Sequence, residues 1–195
     1  MATSGDLAKA LSKLLNEPFS TVDLYGRHLR AAGLLNIKGY GRGAAEMTAR
    51  DAAAWLIALA IDHERGGDFA KEVKRVLDLP MHEYLLNPKN YADDLQHAAA
   101  KTAGHGLALF IGDMMVPRIR DRLERGDDLV TANFDADGVF VSLSIFEHTP
   151  GEVGQFASTT YQRGERKRRD VERLTVVHGR ILLEIAKLLE LKPPA

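Results

Sequence analysis

The residues whose types are best suited to hydrogen bonding with a partner lie between positions 20 and 42. Hydroxyl, imidazole and guanidinium groups form hydrogen bonds with base edges and phosphates, as a protein that enters a DNA groove requires. Ten side chains are the candidate contacts: Ser20, Thr21, Asp23, Tyr25, Arg27, His28, Arg30, Lys38, Tyr40 and Arg42. Residues 1–60 hold seven Lys or Arg and five acids, so this segment is locally basic. The local charge favours phosphate contacts, which weaken steeply as salt rises.

Two helices joined by a tight turn must position these side chains. In residues 11–35, LSKLLNEPFSTVDLYGRHLRAAGLL, the apolar spacing predicts such a pair. Four side chains are spaced to form its shared core: Leu11, Leu15, Val22 and Leu29. We expect Asn16 to end the first helix, because Asn tolerates the left-handed conformation. We also expect Ser20 to be the N-cap of the second helix and Gly33 its C-cap.

The run STVDLYGRHLRAAGLL and the glycine- and arginine-bearing loop after it resemble the recognition helix and wing of winged helix-turn-helix regulators. The resemblance covers roughly residues 5–50. It implies that Ser20–Arg30 enter the major groove and that Lys38, Arg42 and Tyr40 contact the adjacent backbone. Thr48–Glu64 would then complete the three-helix core. The segment GRGAAEMTARDAA is also similar to proteins encoded in prophages and gene-transfer-agent-like regions of alphaproteobacteria, a likeness that implies no activity.

The middle of the chain is predicted to be mainly helical. Phe69–Leu77 is amphipathic and stops before Pro80, whereas Met81–Tyr91 is predicted to be irregular. Leu95–Ala103 is expected to form a short helix. Gly106–Glu124 is expected to form a longer one that Pro117 kinks or divides.

After Gly126 the hydrophobic period changes from about 3.6 to about 2, which is typical of strands. Asp137-Gly138 indicates a hairpin between the first two strands, and Gly179–Leu189 is predicted to be a terminal helix. We therefore predict an α+β fold: a winged-helix-like domain over 1–66, a helical connector or oligomerisation region over 67–126, and an antiparallel sheet with a terminal helix over 127–195.

Composition excludes several classes of site. The chain has no cysteine, so it has no disulfide framework, thiolate zinc site or cysteine nucleophile. The seven histidines lack metal-site spacing, and each is expected to be a surface or capping residue. No nucleophile, metal set or phosphate loop is coherent, so we expect no cofactor and no enzyme. Apolar runs fall short of the roughly 20 residues of a membrane span, which predicts a cytoplasmic protein without a membrane partner.

These observations predict a sequence-specific, double-stranded-DNA-binding transcriptional regulator of possible phage or prophage origin. It would act as a homodimer whose seam lies in Gly106–Glu124 or in the C-terminal sheet. Two alternatives remain open. One is DNA recognition by a ring-forming protein similar to a phage small terminase. The other is a protein-interaction or host-defence-inhibiting module without DNA affinity, and the C-terminal domain could hold a protein partner. The basic run 163–173 is either an exposed strand edge or a second nucleic-acid contact.

Overall fold

The computed structural model describes residues 2–37, 45–61, 68–86, 95–126, 129–137, 140–149, 152–162 and 174–191. In these ranges the chain is α+β, as predicted, with seven α-helices, one 3₁₀-helix and a five-stranded antiparallel sheet. The helices are α1 (Ser4–Leu15), α2 (Phe19–Ala31), α3 (Ala49–Ala60), α4 (Phe69–Leu77), the 3₁₀-helix (His97–Ala99), α5 (Ala103–Asp113), α6 (Pro117–Arg125) and α7 (Gly179–Leu188). The strands are β1 (Met81–Leu86), β2 (Leu129–Asp135), β3 (Phe140–Thr149), β4 (Glu152–Gln162) and β5 (Leu174–His178).

Helices α1 and α3 begin with the same local device. Thr3 and Thr48 are the N-caps, and each accepts a hydrogen bond from the amide three residues later. The carboxylates of Asp6 and Asp51 bond back to the N-cap amides and so complete two capping boxes. Both helix starts are therefore fixed by neighbouring residues.

The end of α2 agrees with the sequence prediction, but its start does not. The helix starts at Phe19 with Pro18 as its N-cap, so the prediction that Ser20 is the N-cap is wrong. The Pro18 carbonyl accepts the amides of Thr21 and Val22, and this starts the helix earlier. Gly33 adopts φ of 69° just after the C-cap, and its amide bonds to the Arg30 carbonyl at 3.0 Å. The predicted stop at Gly33 is confirmed to within one residue.

Two elements of the middle segment differ from the prediction. Met81–Leu86 is strand β1 rather than an irregular segment, because it pairs with β4 from Met81↔Tyr161 to Leu86↔Ala157. Between residues 95 and 103 the chain forms a 3₁₀-helix and the start of α5. Pro117 divides the predicted long helix into α5 and α6 and occupies the first turn of α6, where its missing N–H is not needed.

The sheet has the strand order β1-β4-β3-β2-β5. The predicted hairpin is confirmed by the β2–β3 pairing, although residues 138 and 139 lie outside the described ranges. One face carries a set of buried apolar side chains: Val130, Ala132, Phe134, Val141, Leu143 and Ile145. Helix α5 packs on β3 and α7 packs on β2. The other face is rich in hydroxyls, including Ser144 and Ser158, whose oxygens lie 3.1 Å apart.

Helix α3 connects the N-terminal helices to the rest of the chain. It is buried along nearly its whole length and contacts α2, α4, α5 and β2. One continuous cluster of buried apolar side chains therefore runs from Ala2 to Leu189 through all three predicted segments. No helix in the described part of the chain is long and apolar enough to cross a lipid bilayer.

Candidate nucleic-acid interface

The turn between α1 and α2 has a fixed geometry. Asn16 is left-handed, with φ of 55°, as its residue type predicts. The Glu17 amide donates to the Ser12 carbonyl at 3.0 Å, and the Ser12 hydroxyl donates to the Glu17 carbonyl at 2.7 Å. These reciprocal bonds leave only a short turn before α2 and set the direction in which α2 leaves.

The inner side of α2 is held against α3. Val22 and Leu29 are fully buried, and the Trp55 indole N–H donates to the Val22 carbonyl at 3.1 Å. Gly26 is in close contact with the Trp55 ring, where a Cβ atom would overlap the ring. This position therefore requires glycine, and the tryptophan fixes the depth of α2 in the core.

The opposite side of α2 is open to solvent. At about 100° per residue, Ser20, Leu24, Arg27 and Ala31 point to one side, and all four are exposed. We call these four residues the outward face of α2. Leu24 is 45% exposed, so this face also carries one large apolar side chain.

Electrostatics on this side of α2 are governed by one ion pair. Arg27 Nη2 lies 2.7 Å from Asp23 Oδ2, and the two side chains are 64% and 33% exposed. Because both are accessible to water, the pair contributes little to stability and can open for another partner. Ser20, Asp23 and Arg27 are the predicted contacts that the structure brings together here.

The remaining candidates on α2 face neighbouring helices. The rings of Tyr25 and His28 lie against Phe69 of α4, with centroid distances of 4.9 and 5.5 Å. Burial raises the pKa of Tyr25, and the Glu17 carboxylate adds to this increase. The Arg30 guanidinium donates to the Ser4 hydroxyl at 2.9 Å. These side chains, with half-buried Thr21, flank the outward face and help to hold α2 in place.

The predicted wing contacts lie outside the described residues. Lys38, Tyr40 and Arg42 belong to the undescribed stretch 38–44, and the basic run 163–173 is also outside the described ranges. In the flanking residues 32–37 and 45–48, which the structure does describe, there is no β-strand.

His97 and Asp113 form a buried polar pair that the sequence pattern did not predict. His97, expected at the surface or at a cap, is fully buried, so that prediction is wrong. Its Nδ1 lies 2.6 Å from Asp113 Oδ2, and the same carboxylate accepts the amides of Gln96 and His97 at 3.0 and 3.2 Å. The signal that could have revealed it is the single acid within the apolar run LALFIGDMMV, since a buried carboxylate requires a partner.

The surroundings of this pair are closed. The Tyr161 hydroxyl donates to the His97 carbonyl at 3.3 Å, and Gly106 provides the room for the Tyr161 ring. Burial raises the pKa of Tyr161, and the Asp113 charge adds to the effect. His97 Nε2 has no hydrogen-bond partner among the described residues. Because His97 and Asp113 are both 0% exposed, the pair is suited to a structural role, in which it holds the 3₁₀-helix against α5.

The described residues contain no group of three or more His, Asp or Glu arranged to hold a metal ion. Comparison with protein-family models, curated proteins and solved structures gives no match.

Proposed function

We propose that this chain binds double-stranded DNA through α1, the turn and α2, with the outward face of α2 in the major groove. The observation that carries the proposal is the contrast between the two sides of α2. Its inner side is fixed by Trp55 and Gly26, whereas the side that carries Ser20 and Arg27 is exposed. A rigid helix with polar groups on its free side is what reading base edges requires.

The side chains of the outward face match the chemistry of the groove. Arg27 can form two hydrogen bonds with guanine O6 and N7 once it leaves Asp23, and Asp23 can then accept from cytosine N4. Ser20 can bond to a base or a phosphate, while Leu24 and Ala31 suit contact with thymine methyl groups. Selection of DNA sequence by these contacts supports a role as a transcriptional regulator.

The direct test is selection of bound duplexes from a random-sequence pool, followed by fluorescence anisotropy on the enriched sequence. We expect Arg27→Ala to weaken specific binding about 10- to 100-fold, because a bidentate Arg–guanine contact is worth about 1–3 kcal/mol. Arg180→Ala, which removes an exposed base from α7, is the matched control and should leave the affinity unchanged. If the wild type enriches no sequence and shows no salt-sensitive binding, the proposal is wrong.

A regulator of this kind is expected to be a homodimer, since paired recognition helices read two half-sites about 34 Å apart. Molecular mass in solution, measured by light scattering with and without the selected duplex, tests this expectation. A ring of many subunits would instead favour the small-terminase-like alternative.

A specific observation favours a second candidate function, the docking of a partner protein. Leu24 on the outward face and Phe19 at the start of α2 are 45% and 47% exposed, and Ile37 is 64% exposed. Exposed apolar side chains mark a protein interface where they form one contiguous patch, so this function requires all three to meet the same partner surface. A photo-crosslinking amino acid at position 24 separates the two functions in cells. A nuclease-sensitive adduct supports DNA contact, and a discrete protein adduct supports docking.

A further inference from the structure

A second feature, separate from the outward face of α2, is a cleft of about 510 Å³. It lies between the start of α3, the end of α4, the start of α5 and residues 33–36, which follow α2. Its volume falls within the range of pockets that bind small molecules. Its polar lining includes Asn36, Arg50, Lys74, Thr102 and His105 together with the acids Asp51 and Asp78.

The cleft exists because α4 and α5 meet at a glycine. A Cβ atom on Gly104 would lie 2.6 Å from a Leu77 methyl carbon and 3.1 Å from the Leu77 carbonyl oxygen. This close approach places the last turn of α4, with Lys74, beside the first turn of α5, with His105. Arg50, on the first turn of α3, completes a set of three basic groups from three helices.

The acids in the lining already have partners. Asp51 accepts the Asn36 amide at 2.7 Å and both the amide and the hydroxyl of Thr48, at 2.8 and 2.7 Å. Asp78 is paired with Lys74 at 2.9 Å, and both of these side chains are more than half exposed. Exposed Arg50 forms no ion pair with any described residue. The lining therefore offers Arg50 as a cation without an ion-pair partner among the described residues, and Lys74 becomes available when its exposed pair with Asp78 opens.

The start of α5 adds a partial positive charge to one side of the cleft. Its first turn carries no acid, and the Thr102 side chain makes no capping hydrogen bond. The partial positive charge of the helix N-terminus is therefore not offset by a local carboxylate.

We propose that this cleft binds a small molecule that carries a phosphate or carboxylate group, with Arg50 as its principal partner. Lys74 leaves its exposed ion pair with Asp78 and binds the ligand instead. His105 and the Thr102 hydroxyl donate hydrogen bonds to the same anion. An arginine with no ion-pair partner can bind either oxyanion through two parallel hydrogen bonds. This binding is independent of the DNA contact proposed above, and the residues involved do not overlap with the outward face of α2.

Isothermal titration calorimetry tests the proposal with pyrophosphate and with citrate as the two probes, at an ionic strength held constant with potassium chloride. We expect saturable binding with one anion per chain. Arg50→Gln should weaken it by about tenfold or more, because the change removes charge-assisted hydrogen bonds to the anion. Arg180→Gln, an exposed base on α7, should bind as the wild type does. Tighter binding of pyrophosphate indicates a phosphate ligand, and tighter binding of citrate a carboxylate ligand.

NMR spectra give a second readout that does not depend on affinity. The His105 imidazole signals should shift as the probe is added, whereas those of His178, exposed at the end of β5, should not. If neither probe gives saturable binding, or if Arg50→Gln binds as tightly as the wild type, the proposal is overturned.

Discussion

The helix pair α1–α2 and the 3₁₀-helix that holds His97 are both tied to the core by buried polar contacts, but they present opposite surfaces. In the first, the Trp55 indole bonds to the Val22 carbonyl and leaves the far side of α2 exposed. In the second, His97 and Asp113 bond to each other and are fully enclosed. Enzymes use histidine–carboxylate pairs, but this pair is not accessible to a partner. Of the two regions compared, the helix pair is the one whose polar groups a partner can reach. Accessibility is therefore the criterion that separates a candidate binding site from a structural contact in this molecule.

The largest expected effect comes from breaking the enclosed contact. Asp113→Ala removes the acceptor of two amides and of the His97 ring, and each buried donor left unpaired costs about 1–3 kcal/mol. We expect the free energy of unfolding to fall by about 3 kcal/mol or more, measured by urea denaturation.

Asp113→Asn is the matched control for that change, because it keeps one acceptor oxygen and should lose less stability. DNA affinity, measured at a temperature where the variant is folded, should stay at the wild-type value. If Asp113→Ala lowers the free energy of unfolding by less than about 1 kcal/mol, the structural role assigned to the His97–Asp113 pair is contradicted.

The second-largest effect is expected from a change in the helix pair α1–α2, and it should alter both stability and DNA binding. In Gly26→Ala the new methyl group overlaps the Trp55 ring, so α2 must move away from α3. We expect a loss of about 1–3 kcal/mol in stability, as for other overpacked cores. Weaker DNA binding should accompany it, because the outward face is displaced.

Gly112→Ala is the control for Gly26→Ala, because Gly112 is also helical but has no atom within 4 Å of its Cβ position. Alanine there should leave the stability unchanged or raise it by about 0.5–1 kcal/mol, since it reduces the freedom of the unfolded chain. Equal stability of the two glycine variants would argue against close packing of α2 on Trp55.

Local signals explain why most helices were predictable from the sequence. The stop at Gly33, the left-handed Asn16 and the break at Pro117 depend on residue types that act on their own backbone. Because serine is a favoured N-cap, the sequence predicts a start of α2 at Ser20, but Pro18 supplies the first carbonyl instead. Where two local starts compete, the sequence pattern does not decide between them.

Long-range contacts account for what was not predicted. Strand β1 has no alternating pattern of its own and exists because β4, some 75 residues later, pairs with it. The periodicity of Val22 and Leu29 correctly leaves Leu24 and Arg27 on the exposed side of α2. It gives no indication that Tyr25 and His28 meet Phe69 of α4, because that contact depends on how two distant helices pack.

The smallest effect is expected from a change in the capping box of Thr3 and Asp6, which starts α1 and so helps to orient the helix pair α1–α2. Thr3→Ala removes the hydroxyl that accepts the Asp6 amide, and we expect a loss of about 1 kcal/mol at neutral pH. Thr102→Ala is the control: Thr102 is also a helix N-cap, but its side chain makes no capping bond, so stability should change little.

The pH dependence of Thr3→Ala distinguishes the capping box from a simple loss of contact. The hydrogen bond from the Thr3 side chain, with that from its amide, lowers the pKa of Asp6 below its ordinary value of 3.8. A carboxyl whose pKa is lower in the folded chain stabilises that state above its unfolded pKa, and this contribution is lost as pH falls through the folded pKa. Because Asp6 is exposed, solvent screening keeps the contribution small. The stability difference between wild type and Thr3→Ala, measured by thermal unfolding, should therefore narrow as the pH falls below about 4. A difference that stays constant down to that range would mean that the bond between the Thr3 hydroxyl and the Asp6 carboxylate does not stabilise the start of α1.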